Sequence, residues 1–310
     1  MTNETHHDAI IIGAGAAGLS AGLVLARAQA SVLLLDAGEP RNAPAAHMHG
    51  FVTRDGMPPA DFLAKGRSEV TGYGAEISSD WVASVERVPA GGFAVTQASG
   101  RIRNTRALLI ATGLWDELPK IPGLREGWGS WVHHCPYCHG YEVRNQAIVV
   151  IGTPARDMSI KQAGLLRRYS DRVSLVTNGI DLTPAERHRL DAFGVTVVDG
   201  VVGRVEHADA DTTVVLSEGS TIAADAVFVA PQFRPTDEFL HSLGCAVDPA
   251  TGLIAVDATG RTSVPGVWAA GNVVTPTAQV ITAAGAGSTS AITINGWLLE
   301  HDLDAAAAAH

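Results

Sequence analysis

The residues from His133 to His139 gather two cysteines and three histidines, within the run Trp131-Val-His-His-Cys-Pro-Tyr-Cys-His-Gly140. Cys135 and Cys138 have the spacing C-x-x-C, which holds two sulfurs within one helical turn and lets them close a small disulfide ring. A thiolate is the reactive form of cysteine, and a helix starting at the first cysteine would favour it. Pro136 suits such a first turn. The flanking imidazoles can take or give protons near neutral pH. The cluster therefore reads as a redox pair, Cys135 and Cys138, with His134 and His139 as candidate bases. The competing role for each histidine, and most of all for His133, is to satisfy a buried carbonyl. Two inert, buried cysteines are the bland alternative for the pair. A zinc site would need two more ligands; the histidines stand too close in sequence, and no second Cys/His knuckle exists. No metal is expected. The chain has three cysteines, too few for a disulfide framework, and Cys245 reads as a core residue.

A redox pair needs an electron partner, and the N-terminal segment carries the signature of one. Asp8–Ile12 reads as a strand, followed by Gly13-Ala-Gly-Ala-Ala-Gly18, a helical stretch to about Gln29, and a second strand from Ser31 to Leu35 ending at Asp36. This is a complete dinucleotide-binding βαβ unit. Gly13 permits the tight turn, Gly15 lets backbone approach a pyrophosphate, and Gly18 lets helix and strand pack closely. Ala16 and Ala17 open the helix, whose free N–H groups face the phosphates. Asp36 stands where a carboxylate accepts ribose hydroxyls.

A second unit begins at Gln146–Gly152, which echoes the first strand and its glycine. A helical stretch to about Tyr169 and a strand from Arg172 to Val176 complete the echo. The copies differ where a nucleotide would lie. Pro154 occupies the place of Gly15 and removes an N–H from the cradle. Asp157 occupies the place of Gly18 and brings bulk and negative charge. Thr177, Asn178 and Gly179 end the second strand with no acid for a ribose and no arginine pair for a 2′-phosphate. The second copy reads as a retained fold that has lost tight nicotinamide binding.

The fold class expected is α/β, with two Rossmann-like nucleotide-binding domains. The first nucleotide-binding domain would be discontinuous, residues 1–115 and 246–310, with the degenerate second one, 116–245, inserted and carrying the C-x-x-C pair. Pro119 and Pro122 mark the outward crossing, and 231–235 the return. Gly266–Asn272 reads as a buried strand ending in a glycine turn, and a helix rich in small residues starts near Ala278. The alanine tail Asp304–His310 is expected to fray. The formal net charge of −10, without a basic run, argues against nucleic acid as a partner. No apolar stretch is long enough to span a bilayer, and the leading Met1–Asp8 is polar, so the expected location is the cytoplasm.

These motifs resemble the low-molecular-weight thioredoxin reductase family of flavoproteins over nearly the whole chain. The resemblance rests on Gly13–Gly18 with Asp36, the Leu109–Gly113 turn, the C-x-x-C inside the second fold, and Ala269-Ala-Gly-Asn272 with Gln279 and Val280. It implies FAD in the first fold, with Ala111, Gly271, Asn272, Gln279 and Val280 around the ribityl chain and flavin ring, and a homodimer. Two positions depart from the family pattern. Asn272 replaces the usual aspartate, and His139 replaces the aspartate that donates a proton. The run Cys135–Glu142 (C-P-Y-C-H-G-Y-E) and the stretch Pro40-Arg-Asn42 to His47-x-His-Gly50 resemble the dithiol oxidase branch. That branch closes disulfides in small natural products of the gliotoxin and holomycin type. Arg41, Asn42 and His49 would then line the flavin. The implied reaction takes a small-molecule dithiol, passes its electrons through Cys135 and Cys138 to FAD, and uses O2 as acceptor, yielding H2O2. Two other readings stand beside it: an NADPH-dependent reductase of a thioredoxin-like protein, and a non-enzymatic flavin redox sensor.

Overall fold

The structure is a computed structural model and describes residues 6–89, 91–209 and 211–309. The leading residues Met1–Thr5, and His310 of the expected tail, lie outside these. Strand β1 (His6–Ile12) turns through Gly13 into helix α1 (Ala16–Arg27), and β2 (Val32–Leu35) pairs parallel to β1 with Ile10 opposite Leu33. Both strands are apolar runs, not alternating ones, because both faces of a parallel sheet are covered. Ile11, Leu34 and Leu109 belong to one core layer, and Ile10, Leu33 and Leu108 to the other. Helix α2 (Pro59–Gly72) leads to β3 (Glu76–Ser78), and an antiparallel meander follows: β4 (Val82–Arg87), β5 (Phe93–Gln97) and β6 (Ile102–Ile110). The order is β3-β2-β1-β6-β5-β4.

Strand β7 (Leu114–Glu117) carries the chain onward. The next elements are β8 (Val132–His133), α3 (Pro136–His139), β9 (Ala147–Ile151), α4 (Arg156–Leu166) and β10 (Arg172–Val176). Helix α5 (Pro184–Ala192) starts with a complete capping box between Thr183 and Glu186, and β11 (Val195–Val198) follows it. A second meander, β12 (Val202–Ala208), β13 (Asp211–Leu216) and β14 (Thr221–Ala224), precedes β15 (Ala226–Val229). The parallel sheet β11-β10-β9-β15-β8 repeats the plan of the first fold, meander included. Strand β16 (Gln232–Pro235) pairs with β7. Helix α6 (Glu238–Ser242), β17 (Val267–Ala269) beside β6, and α7 (Val280–Ala308) complete the chain.

The chain divides into two compact units. One comprises the chain up to Ala43, Pro59–Trp115 and everything from Pro235; the other comprises Pro44–Pro58 and Asp116–Arg234. Two segments therefore sit apart from the expected boundaries. Residues 44–58 pack with the second unit. Residues 235–245 pack with the first, because Leu240 and Cys245 are buried among Ile10, Leu33 and Leu108. The alanine tail is helical and continues α7 to Ala308, as alanine's helix propensity favours. Among the described residues no helix is long and apolar enough to cross a membrane.

Candidate active site

Strand β8 is two residues long and ends the second unit's sheet. Val132 and His133 pair with Val227 and Phe228 of β15, and both are buried. The chain leaves the carboxyl end of this parallel strand straight into Cys135, the edge at which open α/β sheets place ligands. Cys135 is extended and caps α3, Pro136 takes the first helical position, and the N–H groups of Cys138 and His139 both reach the Cys135 carbonyl, at 3.1 and 3.2 Å. This turn sets the two α-carbons 5.2 Å apart, and the sulfurs are bonded as a disulfide. Helix α3 has only four residues. Its dipole is that of one turn, so it supports the Cys135 thiolate less than the sequence suggested. Gly140 ends the turn where any side chain would strike the Pro136 carbonyl and the Tyr169 ring.

The three histidines separate by environment. His133 is 6% exposed, stacks on His139 with ring centroids 4.2 Å apart, and leans on Phe228. Burial, with His139 and His134 adding to it, pushes its pKa down to about 3, against a hydrogen bond to the Ser130 carbonyl. That burial leaves it a neutral core group near neutral pH. His134 stacks on Trp128 at 5.6 Å and meets Phe233 edge-on, while its carbonyl accepts from Gln162 Nε2 at 2.6 Å. His139 is half-buried. Burial lowers its pKa, the Glu142 carboxylate opposes that, and His49 adds to the lowering.

His133 makes the second unit acid-sensitive. In the unfolded chain it protonates near its ordinary value of about 6.5, and in the folded protein not until about 3. Above the upper value it contributes no pH dependence; as pH falls from there to the lower one, the unfolded chain binds a proton that the folded protein refuses. Stability is lost across that window, by about 5 kcal/mol at the most. His133→Phe should start from a lower urea midpoint, since the Ser130 carbonyl loses its partner. Its midpoint should then fall less than wild type between about pH 7 and about pH 4.5.

Within the first unit several of the expected nucleotide residues meet in pairs. Gly13 has φ +100°, and a side chain there would collide with the Ala111 carbonyl. Gly15 is the extended N-cap of α1, no side chain caps the helix, and a Cβ there would meet nothing within 4 Å. Open space thus lies before the free N–H groups of the first turn, Ala16 and Ala17 included. Asp36 accepts from the Ala14 N–H at 2.9 Å and is paired with Arg67 of α2. Arg67 arrives from α2 and carries no motif that marks it as a partner of Asp36. Gly271, with φ +83°, approaches Ala17. Asn272 donates through Nδ2 to the carbonyls of Thr275, Pro276 and Ala278, at 3.2, 3.2 and 2.9 Å. Arg41 also donates to the Pro276 carbonyl, at 2.9 Å. Asn42 lies in the turn closed by the Ala43 N–H and the Pro40 carbonyl. Gln279 caps α7 and Val280 begins it. An open glycine cradle, uncapped N–H groups and a fixed carboxylate suit a dinucleotide.

His49 is placed differently from its expected role. It packs within the second unit, between Glu142 (Nε2 to Oε1, 3.5 Å) and Asp55 (Nδ1 to Oδ2, 3.4 Å). The segment that carries it docks beside the C-x-x-C turn, which its chain position after Asp36 did not reveal.

Side chains of the second nucleotide loop bond within the second unit. Ser159 Oγ accepts the Thr153 N–H at 3.2 Å. Arg156 is paired with Asp157 and Glu186. Asn178, in the left-handed region at φ 46°, donates to the Gly152 carbonyl at 2.8 Å and accepts from the Val202 N–H at 2.9 Å. Of the loop's N–H groups, that of Thr153 is thus bonded within the fold, and Pro154 has none to offer.

Known proteins give the same picture. The model of the pyridine nucleotide-disulphide oxidoreductase family matches residues 7–287. Thioredoxin reductase tcpT of Claviceps purpurea is 32% identical over 285 residues, 88% of each chain. Thioredoxin reductase sirT of Leptosphaeria maculans is 29% identical, over 96% of each. The crystal structure of HlmI superposes with a TM-score of 0.95 at 47% identity, covering 100% of this chain and 98% of the other. A putative thioredoxin reductase TrxB from Bacillus anthracis gives 0.90 at 29% identity, over 96% and 99%. The chain belongs to the pyridine nucleotide-disulphide oxidoreductase family, as a thioredoxin reductase-like disulfide oxidoreductase.

Proposed function

We propose that the protein is an FAD-dependent dithiol oxidase that closes a disulfide within a small molecule, with O2 as the electron acceptor. The observation that carries this reading is the contrast between the two nucleotide loops. The first is open and lined by backbone N–H groups at Gly15–Ala17. In the second, Pro154 offers no N–H and the Thr153 N–H is bonded to Ser159. A reductase must draw electrons from NADPH at that second loop; an oxidase need not. Gly13, Gly15, Ala16 and Ala17 would hold the pyrophosphate, Asp36 the ribose, and Ala111, Gly271, Asn272, Gln279 and Val280 the ribityl and flavin portions, with Arg41 and Asn42 at their edge. When bound, FAD supplies the two-electron acceptor that returns the cysteine pair to the disulfide and passes the electrons to O2 as H2O2.

The chain's own groups perform the thiol exchange. His139 or His134 takes a proton from one substrate thiol. The thiolate attacks Sγ of Cys135, the Cys135–Cys138 bond breaks, and Cys138 leaves as thiolate. The second substrate thiol, once deprotonated, attacks the first substrate sulfur, closes the product disulfide and releases Cys135. Cys135 takes up one proton, and the second must leave the site. A homodimer in the cytoplasm goes with this reading, as the family resemblance implies.

Anaerobic mixing of the yellow holoenzyme tests the direction of electron flow. A dithiol such as dithiothreitol should bleach the flavin, and NADPH should not. Rapid bleaching by NADPH would instead support the reductase. Bleaching by dithiol without aerobic turnover would support a sensor.

A further inference from the structure

The segment 44–58 lies between the nucleotide-binding elements β2 and α2, yet it packs with the unit that carries the cysteines. It is a short hairpin. Met48 bridges Met57, the Met48 N–H reaches the Met57 carbonyl at 2.9 Å, and Met48 is 5% exposed. At its tip the Gly50 N–H donates to Asp55 Oδ1 at 2.8 Å. That bond, with His49, also lowers the Asp55 pKa, so the carboxylate stays ionised. Near the hairpin's start the Pro44 carbonyl lies against Gly129, where any side chain would collide with it. The hairpin is therefore anchored, and it presents one imidazole, His49, between two carboxylates, Asp55 and Glu142.

We propose that His49 and Asp55 are positioning residues for the thiol exchange: Asp55 orients His49, His49 holds the Glu142 carboxylate, and Glu142 is thereby kept as the counter-charge for the His139 imidazole when it takes the substrate's proton. The proposal rests on the dithiol oxidase reading. The titratable groups facing His139 are few. His133 stacks on it from β8 and is buried and neutral. Glu142 follows it on the same turn, and His49 reaches in from the hairpin. Cys135 and Cys138 close that turn. Burial and, more weakly, His49 disfavour a charged His139, and the Glu142 carboxylate favours it, so His49 can help only by holding Glu142 in place. Glu142 is 42% exposed, so alone its side chain would swing into water and lose its effect. As ion pairs these exposed contacts add little stability. Their value is in placing one carboxylate.

The test uses the holoenzyme with carbon-13-labelled histidine. Glu142→Gln should lower the His139 titration midpoint by on the order of one pH unit. A base must be neutral to accept a proton, so the acid limb of kcat/KM for dithiothreitol oxidation should move down with it. The plateau should fall about tenfold, because a weaker base pulls the proton less. Glu142→Asp, which keeps the charge, should restore much of the midpoint. His49→Gln and Asp55→Asn should lower the plateau by smaller factors, and neither should lower it further in the Glu142→Gln background. An unmoved His139 midpoint in Glu142→Gln overturns the proposal. So does a His49→Gln loss that multiplies with that of Glu142→Gln. If dithiothreitol does not reduce the wild-type flavin, the oxidase reading falls by itself, and the midpoint comparison still decides whether Glu142 governs His139.

Discussion

Cys138→Ser is expected to slow dithiol-driven bleaching of the flavin by at least about 1,000-fold. The reason is the bond that the substrate thiolate must break. With serine at 138 no disulfide exists, so the attack on Cys135 has neither an electrophilic sulfur nor a leaving group. The turn itself should survive. It is held by the Cys138 and His139 N–H groups on the Cys135 carbonyl and by Pro136 at the first helical position, none of which involves the Cys138 side chain. Stopped-flow absorbance under anaerobic conditions reads the result, with unchanged visible flavin absorbance before mixing as the control for folding and cofactor content. Native-rate bleaching in this variant would show that the electrons do not pass through the pair. The exchange scheme would then be wrong, even though the family assignment would stand.

The second large effect concerns the helix pair that frames the nucleotide cradle. Gly287 of α7 faces the Ala17 carbonyl of α1, and an added Cβ would collide with that backbone and not with a flexible side chain. Gly287→Ala must push α1 and α7 apart. The cost should exceed the roughly 1 kcal/mol that alanine contributes in a helix, leaving a net loss of about 1–3 kcal/mol. Gly285, two residues earlier on the same helix, is exposed and has nothing within 4 Å of the position a Cβ would take. Gly285→Ala should be neutral or stabilising by up to ~1 kcal/mol. Ala17 also belongs to the open end of α1, so Gly287→Ala should release flavin more readily as well. Thermal midpoints and flavin retained after gel filtration separate the two glycines. Equal behaviour of the two variants would mean that α1 and α7 are not packed through Gly287.

Much of the fold could be read without coordinates because it is written locally. Ile10–Ile12 and Leu33–Leu35 are apolar on both faces, which suits a parallel strand covered on both sides. Gly13 and Gly18 stand where backbones touch, and the second copy repeats the strand and loses the open cradle at Pro154. The pair Cys135 and Cys138 closes within one turn, so spacing alone was enough to bring the sulfurs together.

Short-range relations were therefore legible in the chain: the duplicated α/β plan, the first glycine loop, the proline in the second and the cysteine pair. The tertiary structure decided relations between residues far apart in the chain. His49 lies beside Glu142 because the 44–58 hairpin belongs to the unit that carries the cysteines, and no period or spacing encodes that. Cys245 joined the first core because α6 folds back on it. Arg67 found Asp36 from another helix. His133 and His139 are close in sequence, yet only the fold revealed that one is buried in the core and the other half-buried near a carboxylate. Spacing along a strand or turn follows from backbone geometry, which each residue carries with it. Burial and counter-charge are set by groups from distant segments, and those meet only when the chain has folded.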